Sequence, residues 1–219
     1  KETLFQYRKI EKNNDNAENK VNKIQTYTNQ LGYAKAQINN MFIVSQTDDS
    51  LILIDQHAAH ERIVLENLKK NYKKRKILKQ VLLLPEIVNI DEGKLLLLKN
   101  KKAISELGFE FDDYGENSII VREIPAILGK INIDSLFQDL KEQINVLGEI
   151  NPEDSGIERI LSSIACHNSV RAGKKLNIEE MNSILRLMEK TPNSSQCNHG
   201  RPTFVELRLK DVEALFGRT

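Results

Sequence analysis

The chain has 219 residues, 40% of them hydrophobic, with 32 Lys and Arg against 31 Asp and Glu and a formal net charge of +1. That is enough apolar material for one large domain or two small ones, while the near-neutral balance excludes a chain that holds nucleic acid by bulk charge alone. No apolar run reaches the length of a membrane span and Lys1 to Lys23 is too polar for a signal peptide, so a cytoplasmic location is expected, with Cys166 and Cys197 as thiols rather than a disulfide.

The opening segment, residues 1–29, mixes charge and amide, as in Lys9-Ile10-Glu11-Lys12-Asn13-Asn14-Asp15-Asn16. It cannot bury enough surface to offset its ordering entropy, and reads as a polar linker tail following an upstream module. From Leu31 the pattern becomes that of consecutive strands: Tyr33 to Ile38, Met41 to Val44, a turn at Thr47-Asp48-Asp49-Ser50, then Leu51 to Ile54. A helix is predicted directly afterwards, from about Ala58 to Lys70, with Val64, Leu65 and Leu68 on its apolar side.

A second block predicts a strand from Val81 to Ile90 and a helix from an Asp91 cap to Leu107, stopped by Gly108. A hairpin follows, Phe109 to Phe111 with Ser118 to Ile124 around Gly115, then a helix from Asp134 to Leu147. The third block opens on Ser155-Gly156-Ile157-Glu158, a capping box for a helix that should end near Gly173 and carries Cys166 in its later turns. A second capping signature, Asn177-Ile178-Glu179-Glu180, starts a helix ended by Thr191-Pro192. A loop holding Cys197 and His199, a strand from Thr203 to Leu209 and a short helix to Phe216 complete the chain.

Chemistry-bearing residue types gather where the strand ending at Ile54 hands over to a helix. His57 and Glu61 lie about 40 degrees apart on a helical wheel, near enough to share a ligand if the helix begins at His57. Asp55 would be expensive to desolvate at a strand end unless paired, hydrogen-bonded or bound to a cation. Glu66 falls about 140 degrees from Glu61 on that wheel, so a salt bridge or a DNA-facing role suits it better than direct ligation. Cys197 and His199 place a thiolate and an imidazole two residues apart on a loop punctuated by Gly200 and Pro202.

With Cys166 these residues make a mixed donor set. Thiolates and imidazoles favour Zn2+, and carboxylates admit Mg2+ or Mn2+, so one zinc-like site beside one labile oxygen-rich site is the natural reading. Two such ions suit phosphodiester cleavage. From spacing alone the competing reading stands beside it: a buried Cys as a small hydrophobe and a His as a hydrogen-bonded group. The basic run Lys69, Lys70, Lys73, Lys74, Arg75, Lys76 and Lys79 reads either as a solvated helix end or as a phosphate contact.

Three segments resemble the C-terminal domain of bacterial MutL homologues that are endonucleases. Asp55-Gln56-His57-Ala58-Ala59-His60-Glu61-Arg62-Ile63-Val64-Leu65-Glu66 fits the family pattern Asp-Gln-His-Ala, two residues, Glu, four residues, Glu at every fixed position. Ala165-Cys166-His167-Asn168-Ser169-Val170-Arg171-Ala172 and Cys197-Asn198-His199-Gly200-Arg201-Pro202 follow in family order, with Asn198 where the family usually has proline, and Phe216-Gly217-Arg218 is similar to the family's Phe-x-Arg ending.

The resemblance implies a two-subdomain α/β fold, mixed α+β. Residues 30–76 and 150–219 would form a discontinuous dimerisation subdomain, and 77–149 an inserted regulatory one. It implies that Asp55, His57, Glu61, Cys166, Cys197 and His199 bind metal, the first three acting in catalysis, with Glu66, Arg171 and Arg201 in supporting or DNA contacts. Gln80-Val81-Leu82-Leu83-Leu84-Pro85 is similar to the family's sliding-clamp peptide, with Gln80, Leu83 and Pro85 as its anchors.

The implied activity is DNA mismatch repair by a latent nicking endonuclease using Zn2+ with Mn2+ or Mg2+. The implied partners are a second copy of the chain, duplex DNA bound weakly, the sliding clamp and a MutS-type mismatch-recognition protein, in the cytoplasm at the nucleoid. ATP would bind only at an upstream GHKL-type ATPase module. The alternatives are a non-catalytic, zinc-stabilised dimerisation and docking module or another zinc hydrolase such as a peptidase, although His-Glu-x-x-His does not occur in the chain.

Overall fold

The structure, a computed structural model, describes residues 29–90, 92–148, 150, 155–167 and 174–218. The expected linker tail before Asn29, the Asp91 cap, the Ser155 side chain, and the stretch of the second motif from Asn168 through Arg171 to Gly173 lie outside the described residues. The chain divides into two compact units, Lys1–Ile63 with Arg171–Thr219, and Val64–Val170.

In the first unit β1 (Tyr33–Ile38), β2 (Phe42–Gln46), β3 (Ser50–Asp55) and β7 (Phe204–Arg208) form an antiparallel sheet in the order β1-β2-β3-β7. Side chains alternate across a strand, so β3 sends Ile52 and Ile54 to a face on which Ala34, Ile43 and Phe204 are also buried. Met181, Leu185 and Met188 of a helix spanning Ile178–Lys190 complete that core. The opposite face carries Val44, Leu51, Leu53, Val205 and Leu207, all half-buried, with Leu53 paired to both Val44 and Val205. Gly32 enters β1 with φ of 62°, and a methyl group there would collide with the Gln46 carbonyl, so the turn needs glycine both for its backbone and for space.

The capping box expected at Asn177 is present. Glu180 N–H donates to Asn177 Oδ1 at 2.8 Å, and Asn177 N–H donates to Glu180 Oε2 at 3.0 Å. A hydrogen bond from the Lys174 ammonium, with the Asn177 N–H, holds the Glu180 carboxyl below the usual carboxylate range.

The second unit contains the rest of helix α1 (Gln56–Lys73), β4 (Lys79–Asn89), α2 (Lys94–Lys99), α3 (Lys101–Glu106), β5 (Glu110–Tyr114), β6 (Ser118–Pro125), α4 (Ile133–Leu147) and α5 (Ser155–His167). The helix Ile178–Lys190 is then α6, and Leu209–Leu215 is α7. Its sheet is antiparallel in the order β4-β6-β5. Phe137 of α4 meets Phe109 and Phe111 edge-on, with ring centroids 5.6 and 5.5 Å apart, and all three are fully buried.

Two expectations for this unit are corrected. The single helix to Leu107 is two helices broken at Asn100, whose Nδ2 donates to the Leu96 carbonyl at 2.9 Å and whose Oδ1 accepts from Ile150 N–H at 2.9 Å. A buried side chain that binds both its own backbone and a residue fifty positions away favours a break over a continuous helix. Strand β4 runs Lys79–Asn89 rather than Val81 to Ile90, and its pairing with β6 jumps from Val81↔Glu123 to Glu86↔Val121. Leu82, Leu83, Leu84 and Pro85 therefore face a single β6 residue, Arg122, and lie outside the regular ladder.

Candidate functional site

The first motif is built at the junction of β3 and α1. Pairing of Ile54 with Phe204, the Asp55 N–H bonded to the Thr203 carbonyl at 2.8 Å and the Gln56 N–H bonded to the Met41 carbonyl at 2.9 Å fix where the strand stops. Asp55 then accepts on Oδ1 from the His57 N–H at 2.9 Å and the Ala58 N–H at 3.0 Å. This is the N-terminal capping arrangement, a carboxylate satisfying the first free amides of a helix. It explains why α1 begins at Gln56 and not near Ala58, and it offsets much of the cost of placing a carboxylate at a half-buried strand end. Among the described residues both Asp55 bonds fall on Oδ1, and Oδ2 makes none.

One turn along, His57 Nε2 stands 3.3 Å from Glu61 Oε1, as their spacing predicts for a helix already formed at His57. The Glu61 side chain is only 7% exposed and that of His57 42%. The buried His57 Nδ1 has no hydrogen-bond partner among the described residues. A buried carboxylate facing an imidazole whose second nitrogen is unsatisfied is a donor pair with capacity to spare.

Two residues of the first motif to which sequence reasoning assigns no role position it. Gln56, buried at the helix start, accepts at Oε1 from Gln37 Nε2 at 2.6 Å, and Gln37 also donates to the Lys174 carbonyl and accepts from Leu176 N–H, both at 2.9 Å. This network ties the start of α1 to β1 and to the approach to α6. Arg62 Nε donates to the Asn193 carbonyl at 3.0 Å, anchoring α1 to the loop that leads to Cys197.

That loop is closed tightly. Gln196 bridges Pro202, Cys197 N–H donates to the Arg201 carbonyl at 2.7 Å, and Gly200 N–H donates to the Cys197 carbonyl at 3.0 Å. Cys197 is buried, and its Sγ accepts from the His199 N–H at 3.4 Å. With Asn198 in place of the family's proline the loop is still held shut by its own backbone bonds. The His199 and Arg201 side chains are exposed.

Within this unit the structure thus brings together His57 with Glu61 and Cys197 with the His199 backbone. Among the described residues no three His, Cys, Asp or Glu side chains gather closely enough to hold an ion between them. Cys166, half-buried in α5, and Glu66, 3.6 Å from Lys69, belong to the second unit; both cysteines are free thiols. In that unit Gln80 and Pro85 are exposed and Leu83 is 97% exposed. Among the described residues no helix is long and apolar enough to cross a membrane.

A family model described as the MutL C terminal dimerisation domain matches residues 35–176. The DNA mismatch repair protein MutL of Rickettsia bellii (strain OSU 85-389) is 50% identical over 190 residues, covering 86% of this chain and 31% of that protein. MutL of Bradyrhizobium sp. (strain ORS 278) is 49% identical over 189 residues with the same coverage, and that of Rickettsia felis 48% over 190. The fold, mixed α and β with two sheets, is consistent with the mixed α/β class that the resemblance implies, and this chain belongs to the MutL C-terminal dimerisation-domain family. It spans about a third of the length of the curated relatives it matches, 31% in each case.

Proposed function

We propose that the chain is the dimerisation and nicking part of a DNA mismatch-repair protein, acting on duplex DNA with divalent cations. The observation that carries the nicking reading is the His57–Glu61 pair, 3.3 Å apart, with the Glu61 carboxylate buried and the His57 Nδ1 without a hydrogen-bond partner among the described residues, at a helix start immobilised by Asp55 and Gln56. Within the first unit His57 with Glu61 is the donor pair that suits a cation, and Asp55 Oδ2, Cys197 and His199 are added as proposed ligands. A cation held there supplies Lewis-acid stabilisation of charge developing on a phosphodiester.

The chain's own residues prepare for that. The capping bonds fix the Asp55 carboxylate, burial keeps Glu61 away from bulk water, and the closed loop presents Cys197 and His199 on a rigid turn. Nicking of supercoiled plasmid by the full-length protein with Mn2+, lost on adding EDTA and lost in Glu61→Gln, is the expected result. Stoichiometric zinc whose removal unfolds the domain, with no metal-dependent nicking, would leave the docking-module reading in its place.

Homodimerisation is supported by the half-buried apolar face of the first sheet, where Val44, Leu51, Leu53, Val205 and Leu207 cluster. A contiguous apolar face of this kind is a surface that a second copy can cover. Clamp binding is supported by the exposed Gln80, Leu83 and Pro85, the last two in the stretch that lies outside the regular ladder and suits capture in a groove. Gln80→Ala combined with Leu83→Ala should lower clamp affinity by at least about tenfold in a surface-immobilised clamp assay and leave the dimer intact in sedimentation; unchanged affinity rejects the peptide. A MutS-type partner and ATP would be engaged by the whole protein.

A further inference from the structure

Helix α1 ends in a turn that is closed twice. Lys76 N–H donates to the Asn71 carbonyl at 2.9 Å, and Arg75 N–H donates to the Tyr72 carbonyl at 2.8 Å. This paired closure leaves one residue in the left-handed region just past the helix, and glycine is the usual occupant because it lacks a Cβ. Arg75 occupies the position here, with φ of 51°. A strongly disfavoured conformation is thus maintained for a cationic side chain, in a turn whose backbone bonds are otherwise satisfied.

The surroundings make the choice more pointed. Residues 73–76 are Lys73-Lys74-Arg75-Lys76, the one run of four consecutive cations in the chain, and no Asp or Glu lies between Glu66 and Glu86. All four are exposed. Of the cations further out in the same basic run, Lys69 pairs with Glu66 and Glu158, and Lys79 with Glu110 and Glu123. Among the described residues Lys73, Lys74, Arg75 and Lys76 enter no ion pair.

Complementing the α1 dipole would require positive charge only within the last turn, and Lys70 and Lys73 already provide it. It gives no reason to keep Arg75 where glycine fits better. We propose that the turn 73–76 is a docking point for the phosphate backbone of duplex DNA, a fixed cationic projection on a chain whose net charge of +1 gives no long-range attraction. The inference rests on the proposed action on DNA. A lipid surface is the less suitable occupant, because the four residues have no apolar side chain among them to insert.

The test is binding of a fluorescein-labelled 30-base-pair duplex, followed by anisotropy over a range of salt in EDTA, so that cleavage plays no part. Arg75→Gly removes one charge and relieves the backbone. It should melt no lower than the parent yet bind several-fold more weakly, with the slope of log affinity against log salt smaller by about one. Lys73→Gln, Lys74→Gln and Lys76→Gln together should reduce that slope by roughly three. Unchanged slopes in folded variants, or parent chain that prefers phosphatidylglycerol vesicles to the duplex, would overturn the assignment. Loss of nicking in Glu61→Gln with duplex binding retained separates the two readings: a protein that binds through this turn but never nicks fails only the nuclease proposal.

Discussion

Asp55→Asn should leave the protein folded and lower Mn2+-dependent nicking on the order of a hundredfold or more, whereas Asp55→Ala should lose both nicking and stability. The distinction follows from the two tasks assigned to one carboxylate. As a cap, Oδ1 accepts from His57 and Ala58, and asparagine caps a helix about as well as aspartate does, while alanine costs about 1 kcal/mol. As a proposed cation ligand, the group acts through its charge. A lost ligand at a metal that stabilises the transition state by several kcal/mol corresponds to a rate loss of that size. The measurement is plasmid nicking alongside a thermal melt. Asp55→Asn that nicks like the parent would sink the ligand role, and one that melts like Asp55→Ala would sink the cap.

Phe137→Ala should destabilise the second unit by about 3–5 kcal/mol, the largest stability effect expected of a single core truncation in that unit. Phe137 is fully buried and touches Phe109 and Phe111 edge-on, so truncation removes two aromatic contacts and opens a cavity that neighbouring elements can only partly refill. For a unit of roughly a hundred residues this corresponds to a fall in melting midpoint of roughly 10 °C or more. Phe137→Leu should recover a large part of the loss in urea denaturation. A shift below about 1 kcal/mol for alanine would show that the ring cluster is not what holds the unit together.

Much of the frame was legible because it is encoded locally. The capping box at Asn177, the alternation around β3 and the strand-to-helix handover at Asp55 each depend on neighbours within a few residues. The His57–Glu61 approach followed from helical spacing and is present at 3.3 Å. What escaped was set by distant partners. Asn100 breaks a helix because its side chain also holds Ile150 N–H, and no periodicity reveals that. Gln56 matters through Gln37, Lys174 and Leu176, residues far away in the chain. The Asp55 cap did have a local signal, an acidic residue just ahead of a helix. Hydrogen bonding was one of the three ways of offsetting the Asp55 charge that the sequence left open, and the cap is the form it takes.

The loose segment of β4 raises a problem of solubility. Leu83 is 97% exposed and Leu84 81%, in an apolar run on the edge strand of its sheet. Such a segment is the sort that adds onto a strand of another molecule and grows into aggregates. Pro85 interrupts the row of donors within it, Lys79 and Glu86 flank it with charge, and the four-against-one register at Arg122 prevents a flat edge from forming. A segment left outside its own ladder is thereby made a poor template for its own copies.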